Sequence, residues 1–298
     1  MNVFSSKYRT VVLGITATAI GYYGILMPHT IFLDKYRAIV TTYQLGKEIP
    51  LSAKAMQNIR EAMNDLKLSD NVRNVIKPFS VFGFDLYHAG TLGPKYGAIL
   101  GIPCNLNSTA EQLYENLRIK EEEVDWSQKE AQDLLSASTL STSAQKFAIA
   151  REILLIQAEV PYSNSFQLAL IVAVLWTLCN TMTYKFKLRE RSVTLCRILY
   201  MAFTLFGAIL WLGIKDYQSY RLDSEVDKVL CGLGAEYVKG GQEFYEKTLI
   251  RNRALRSLLG KDGEKIYTAG GNEQTLFRQK HVMLSHRKEF FDSYSVDC

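Results

Sequence analysis

The apolar residues of this 298-residue chain are gathered into three long blocks. Residues 11–27 and 166–183 contain no charged side chain, and residues 193–214 contain only Arg197. A bilayer core about 30 Å thick needs about 20 helical residues, so each block is long enough to span it. Arg197 is close to a polar loop, and its long side chain can reach the lipid–water boundary. The pattern predicts three transmembrane helices, over 11–33, 166–184 and 193–214.

The charged residues outside these blocks predict how the chain is oriented. The loop 185–192 contains four Lys or Arg and one acid, and the N-terminus 1–10 contains Lys7 and Arg9 with no acid. By the positive-inside rule, basic segments of this kind stay on the inner, cytoplasmic-type side of a membrane. Three spans place both on the same side, whereas two spans would separate them, which favours three. The regions 34–165 and 215–298 then share the opposite side. The first apolar block resembles a secretory signal, but an uncleaved anchor is the better interpretation, since no clear cleavage site follows it.

The region 34–165 combines helical and strand patterns. Apolar positions in 51–70 recur every three or four residues, and 144–157 reads as another helix. Between them, FSVFGFDLYHAG and KYGAILGIPCNL are aromatic and branched runs punctuated by Gly and Pro, which predict two or more strands. Two capping-box patterns predict further helix starts: Ser108 with Glu111, and Ser127 with Glu130. The expected fold class is an α+β membrane protein, with the C-terminal region 215–298 mainly helical.

Two helices are predicted in the C-terminal region, over 223–233 and 242–259, separated by Gly240 and Gly241. The segment GKDGEK follows the second helix and predicts a helix stop and turn, and IYT then predicts a short strand. A phosphate-binding loop requires the opposite order, with glycines ahead of a helix. The alternative for GKDGEK is a charged surface recognised by a partner protein. Its candidate contact residues are Lys261, Asp262, Glu264 and Lys265.

Few residue patterns in the chain indicate chemistry. The five cysteines show no CxxC and no paired spacing, which is not typical of a disulfide framework or a zinc ribbon. No GxSxG or Gly-rich nucleotide motif is present in the sequence. Fourteen Lys or Arg face 13 Asp or Glu from residue 215 onward, a balance that disfavours nucleic-acid binding. We therefore expect a protein that is not an enzyme and that needs no cofactor or metal.

Several longer motifs resemble the transmembrane protein 177 family of the mitochondrial inner membrane. They are SAQKFAIARE at 143–152, GGQEFYEK at 240–247, NRALRSLLGKDGEKIYTAGGN at 252–272 and LFRQKH at 276–281. The resemblance implies a factor for early maturation of cytochrome c oxidase subunit II. Its implied partners are that subunit, its assembly chaperone and the copper-delivery factors, together with the lipid bilayer. The basic loop and the N-terminus would then face the matrix, and the two larger regions the intermembrane space.

Two alternatives belong to the class of metal proteins. His281, Met283 and His286 are potential copper ligands, which leaves open a copper carrier. The order of strands, helix, two spans and helix also resembles membrane zinc metalloproteases. Arg151-Glu152-x-x-Leu155 stands where such enzymes have HExxH, and Asp223 stands at the place of their third ligand. Because both histidines are missing, this resemblance implies a degenerate scaffold, with Glu152 paired to a nearby basic group rather than an active hydrolase.

Overall fold

The computed structural model describes residues 3–107, 110–116, 118–119, 122–275 and 277–294. The helices are α1 (Val3–Leu26), α2 (Leu33–Val40), α3 (Ala53–Asp65), α4 (Asp70–Val75), α5 (Cys104–Asn107), α6 (Ala110–Asn116), α7 (Lys129–Ser138), α8 (Thr142–Gln157), α9 (Val160–Lys185), α10 (Leu188–Arg191), α11 (Val193–Cys231), α12 (Ala235–Leu259), α13 (Lys261–Ile266) and α14 (Leu284–Ser293). The strands are β1 (Tyr43–Gln44), β2 (Lys47–Glu48), β3 (Ile76–Val81), β4 (Tyr87–Gly90), β5 (Ala98–Pro103), β6 (Arg118–Ile119) and β7 (Glu122–Glu123). The fold is mostly helical with small sheets.

The three apolar blocks form helices long and apolar enough to cross a membrane, as predicted. These candidate spans are Tyr8–His29, part of Thr142–Lys185, and part of Val193–Cys231. Two predicted span boundaries are wrong: the end of the first span and the start of the second. The first helix gives way to a 3-10 turn, Met27–His29, at Pro28, and does not continue to residue 33. The second begins at Val160, six positions before 166, because Pro161 fits the first turn of a helix.

The central membrane helix is α9, which packs between α1 and α11. A Cβ built on Gly14 would lie 2.5 Å from the Trp176 ring, and one on Gly207 would lie 2.6 Å from Leu175. Small residues of this kind let membrane helices approach closely. Gly21 faces Leu168 while Gly14 faces Trp176, so α1 and α9 run antiparallel. The start of α1 and the loop after α9 therefore lie at the same end of the three helices, which we call the membrane bundle.

The helical prediction for the C-terminal region was wrong in its boundaries. No break precedes residue 223, because α11 continues for 39 residues to Cys231. The chain turns at Gly234, where φ is 117°. Gly240 and Gly241, predicted to separate two helices, lie inside α12. Gly240 is required at this position because a Cβ there would lie 2.6 Å from the Ser143 carbonyl oxygen.

The elements outside the membrane bundle form one lobe: α2–α8, β1–β7, the part of α11 beyond residue 214, and α12–α14. Its central helix is α8, which is buried on most sides. The main sheet has the order β3-β5-β4, with β3 parallel and β4 antiparallel to β5. Alternate residues of β5 face opposite layers: Leu100 joins the core around α8, and Ile99 packs with Leu33 of α2.

The core of the lobe is closed by aromatic rings. The Phe147 ring lies 5.1 Å from the Phe291 ring and 5.7 Å from the Tyr245 ring, both nearly edge to face. This is a favourable arrangement for aromatic pairs. Gly241 makes room for it, since a Cβ there would lie 2.5 Å from the Phe291 ring. Helix α14 is thereby fixed to α8 and α12, which brings the C-terminal segment back to the centre of the lobe.

Of the remaining local predictions, some are confirmed and three differ from the structure. The α3 and α8 helices and the strands were confirmed, with Ser52 and Ser141 as side-chain caps. The predicted cap Ser127 hydrogen-bonds to Asp125, and α7 begins after Gln128 without a side-chain cap. Ser108 lies outside the described residues. The stop after Leu259 is correct, but the predicted turn is the short helix α13, and the predicted strand is one bridge between Tyr267 and Glu273.

Candidate functional site

The predicted contact residues all lie on the surface of α13. Lys261, Asp262, Glu264 and Lys265 are exposed. The Lys265 ammonium lies 3.2 Å from the Asp262 carboxylate, within the same helix. Gly263 is buried against the backbone of Arg256, where a Cβ would lie 2.4 Å from the carbonyl oxygen. The geometry presents a charged surface, and binding of a partner there remains a prediction.

A cluster of ionisable side chains lies deeper in the lobe, beginning on α8. Glu152 accepts a hydrogen bond from Arg151 at 2.9 Å, and its other oxygen lies 2.6 Å from the His88 Nδ1. His88 is on β4, so this contact joins the edge of the sheet to α8. His88 belongs to a segment whose pattern predicts a strand, and nothing in that local pattern indicates this contact with α8. The expected basic partner of Glu152 is present.

The cluster continues onto α11 and α14. The Arg151 guanidinium lies 3.6 Å from Asp223, and Arg287 lies 3.2 Å from the same carboxylate. Arg287 also donates two hydrogen bonds to Asp227, at 2.6 and 2.7 Å. At the far end, His281 Nδ1 lies 3.0 Å from Asp223. We call these seven residues the ion cluster: His88, Arg151, Glu152, Asp223, Asp227, His281 and Arg287.

Electrostatics keep the central members of the ion cluster charged although they are buried. Burial opposes ionisation of Glu152, but the hydrogen bond with His88 and the charge of Arg151 outweigh it and lower the pKa of that carboxyl. The pKa of Asp223 is lowered in the same way, against burial, by His281 and Arg287. Burial also opposes the charge on Arg287, yet its neighbours, led by Tyr245 and Asp227, raise the pKa of the guanidinium. Each buried charge is therefore compensated by a specific partner.

A cavity of about 260 Å³ lies beside the ion cluster. It is lined by residues 84–86, by side chains of α8 and α12, and by residues 267, 272, 273, 275, 279–284 and 287. Arg251 closes one side, with its guanidinium 2.7 Å from the Asp85 carboxylate and 3.2 Å from the Phe84 carbonyl oxygen. Met283 lies at an exposed part of the lining. We call this cavity the lobe pocket.

The residues around α8 do not fit a catalytic zinc ion. A guanidinium and a leucine side chain stand where two imidazoles would be needed, and neither binds zinc. Instead, the Arg151 guanidinium lies between Glu152 and Asp223. Among the described residues there is no group of three or more His, Cys, Asp or Glu that could hold a metal ion. No catalytic step through a metal follows from this arrangement.

The three candidate copper ligands have different surroundings. His281 is engaged with Asp223 through its Nδ1. Met283 precedes α14 as its N-cap residue and lines the lobe pocket. His286 is exposed on α14. Copper binding therefore has no support beyond the sequence pattern itself.

The fold and the site define a membrane protein with three candidate spans and a lobe built around a buried ion cluster. The family model of transmembrane protein 177 matches residues 49–282. The human transmembrane protein 177 is 30% identical over 292 residues, which cover 96% of this chain and 92% of the relative. The zebrafish (Danio rerio) protein of the same name is 29% identical, over 97% of this chain and 94% of its own. The chain belongs to the transmembrane protein 177 family. No solved structure matches it.

Proposed function

We propose that this protein is a non-enzymatic stabilisation factor of the mitochondrial inner membrane. It supports newly made cytochrome c oxidase subunit II and the assembly chaperone of that subunit, close to the copper-delivery factors. The observation that carries the proposal is family membership: the family model matches residues 49–282, and the human relative aligns with 96% of the chain. The role in subunit II maturation is the one that the family resemblance implies.

The chemistry of the lobe supports a binding role over catalysis. Glu152 and Asp223 are held by arginines, so neither has the open position that a metal or an activated water requires. Burial raises the pKa of the Cys231 thiol to about 12, which makes it a poor nucleophile at neutral pH. The finer proposal is that the lobe has a metalloprotease-like scaffold in which Arg151 takes the place of the metal as the central cation.

The alternative functions, a metalloprotease-like hydrolase or a copper carrier, make a direct prediction about the purified protein. A hydrolase would contain about one zinc ion per chain and would cleave a general peptidase substrate. A copper carrier would take up copper under reducing conditions. We expect neither, and elemental analysis combined with a peptidase assay distinguishes all three functions.

The proposed partner contact can be tested by site-specific photo-crosslinking in intact mitochondria. A benzoylphenylalanine at Met283 reports on the lobe pocket, and one at Lys261 reports on α13. The control position is Ile20, which is exposed on α1 and faces lipid in a three-span arrangement. We expect newly made subunit II, or its chaperone, to crosslink from Met283 or Lys261. Crosslinks to these proteins from Ile20 alone would place the contact in the membrane and overturn the proposed role of the lobe.

The proposed orientation places the lobe in the intermembrane space and the basic loop in the matrix. An epitope attached at Cys298 should then be destroyed when mitoplasts are treated with protease. An epitope inserted in the loop 185–192 should survive until the inner membrane is dissolved. The reverse pattern would invert the orientation.

A further inference from the structure

One end of the membrane bundle carries a dense group of cations. Because α1 and α9 run antiparallel, the start of α1 lies beside the loop that joins α9 to α11. We call this group the basic end; its members are Arg9, Lys185, Lys187, Arg189, Arg191 and Arg197. All six side chains are exposed, and Glu190 is the one acid in the loop 185–192.

The buried cations of the lobe, in contrast, are paired with carboxylates. There, Lys146 lies 3.1–3.5 Å from three carboxylates, and Arg287 lies between Asp223 and Asp227. Within the part of the chain that the structure describes, no ion pair joins a member of the basic end to a carboxylate. Arg189 has a hydrogen-bond contact with the Tyr200 side chain, which adds no negative charge. The basic end therefore keeps a net positive charge among the described residues.

The opposite end of the membrane bundle provides an internal comparison. There Asp216 forms a paired contact with Arg278, with both oxygens 2.6 Å from guanidinium nitrogens. The Lys215 ammonium lies 5.4 Å from the centre of the Trp211 ring. Asp216 and Lys215 thus each have a partner within the protein, an arginine and an aromatic ring. We therefore expect the two ends of the membrane bundle to differ in the ligands that they attract.

The position of the basic end points to its ligand. α9 and α11 leave the apolar core there, which puts the loop at the level of the lipid headgroups. Arg197 is one turn inside α11 and can extend to the same level. We propose that the basic end binds the phosphate groups of anionic phospholipids. The electrostatic attraction of one Lys or Arg to an anionic membrane surface corresponds to about a fivefold preference for anionic lipids.

Tryptophan quenching by brominated lipids can test this on the full-length protein in nanodiscs. The chain has three tryptophans. With Trp126 and Trp211 changed to Phe, Trp176 reports on the half of α9 that leads to the basic end. With Trp126 and Trp176 changed to Phe, Trp211 reports on the opposite end. We expect brominated phosphatidylglycerol, titrated into phosphatidylcholine, to quench Trp176 with at least about a fivefold preference over brominated phosphatidylcholine. Trp211 should show little or no preference.

A charge variant separates this site from general membrane effects. Four Gln substitutions, Lys185→Gln, Lys187→Gln, Arg189→Gln and Arg191→Gln, should abolish the preference at Trp176. The matched control removes the same charge from the exposed lobe: Lys54→Gln, Lys67→Gln, Lys129→Gln and Lys239→Gln. It should leave the preference intact. A second variant, in which the two lysines become arginine and the two arginines become lysine, should also keep it.

Three outcomes would overturn the proposal. Equal quenching preference at Trp176 and Trp211 would mean that no selective site exists at the basic end. An unchanged preference in the Gln variant would assign it to other residues. Relief of the quenching by excess inorganic phosphate would show a site for free phosphate rather than for a lipid headgroup, whereas no relief supports the lipid.

Discussion

The lobe and the membrane bundle hold their helices together by different means. In the lobe, side chains of opposite charge meet in the interior, and Arg287 bridges two carboxylates of α11. In the membrane bundle, the close contacts are made by glycines, such as Gly14 against Trp176. A polar contact within the bundle is the hydrogen bond from Tyr200 to Asn180, at 2.9 Å. Close packing at glycines thus occurs in both regions, and the lobe adds specific charge pairs in its interior.

The difference follows from the solvent on each side. In water, burial of apolar residues drives the lobe to collapse, and the ion cluster then fixes which helix faces which. In lipid, contact between apolar helices gains little over contact with lipid, so tight packing at small residues has to supply the attraction. Loss of a buried charge should therefore be most damaging in the lobe, whereas a change of shape at a close contact should be damaging in both regions.

Removing the guanidinium of Arg287 should give the largest effect. In Arg287→Met, Asp223 and Asp227 each lose a partner within 3.2 Å while both remain buried. Breaking a buried ion pair in this way costs about 3–5 kcal/mol of the free energy of unfolding. The neighbouring Lys288→Met is the matched control, since the Lys288–Asp292 pair is partly exposed and is worth about 0–1 kcal/mol. Thermal unfolding in detergent measures both. Equal destabilisation by the two would contradict a structural role of the ion cluster.

A methyl group added at Gly241 should have a smaller effect. In Gly241→Ala the new Cβ would lie 2.5 Å from the Phe291 ring, which is fully buried. Overpacking of this kind costs about 1–3 kcal/mol. Gly213→Ala on α11 is the control, because no heavy atom lies within 4 Å of its Cβ. The same unfolding assay should show the control unchanged or slightly more stable. If Gly241→Ala were equally harmless, the close packing of α12 on α14 would be wrong.

The corresponding change in the membrane bundle is Gly14→Leu. Its side chain would collide with Trp176 and separate α1 from α9, at a cost of about 1–3 kcal/mol. Gly24→Leu is the control, since nothing lies within 4 Å of that Cβ. Emission from Trp176, in protein without the other two tryptophans, should shift in Gly14→Leu alone. A shift of the same size in both variants would show that α1 does not pack on α9 as described.

Acid should weaken the lobe more than the membrane bundle. The pKa values of Glu152 and Asp223 are lowered in the folded protein, so their contribution to stability is complete above their ordinary pKa values and is lost as the pH falls through the lowered ones. We expect the lobe to lose stability progressively as the pH falls below about 5. The double variant Glu152→Gln, Asp223→Asn should show a flatter dependence in unfolding measured at a series of pH values. An identical slope would assign the acid sensitivity to other carboxyl groups.

The membrane bundle was largely predictable from the sequence, and the ion cluster was not. The three apolar blocks are local patterns, and they identified the span helices apart from their ends. Glu152 and His88 are 64 residues apart, and Asp227 and Arg287 are 60 apart. Local sequence periodicity does not predict such pairs, because each pair depends on how β4, α8, α11 and α14 pack together. Similarly, Gly240 and Gly241 suggest a break when read locally, whereas a neighbouring helix explains them once the fold is known.

The pairing of Glu152 with a basic group could be predicted because the motif around it lacks its histidines. Asp223 was selected by its place in the order of elements, and the structure brings it to Arg151. Arg287 stands between His286 and Lys288, so its local sequence indicates a solvated segment. It is 3% exposed, which no sequence pattern indicates.

The turnover of newly made cytochrome c oxidase subunit II tests the proposed function most directly. Pulse labelling of mitochondrial translation, followed by a chase, measures its half-life in cells that lack this protein and in cells that regain it. Our account predicts a shortened half-life that is restored by the full chain, including an Arg151→Lys variant that keeps the central positive charge. An unchanged half-life in the absence of the protein would contradict the account.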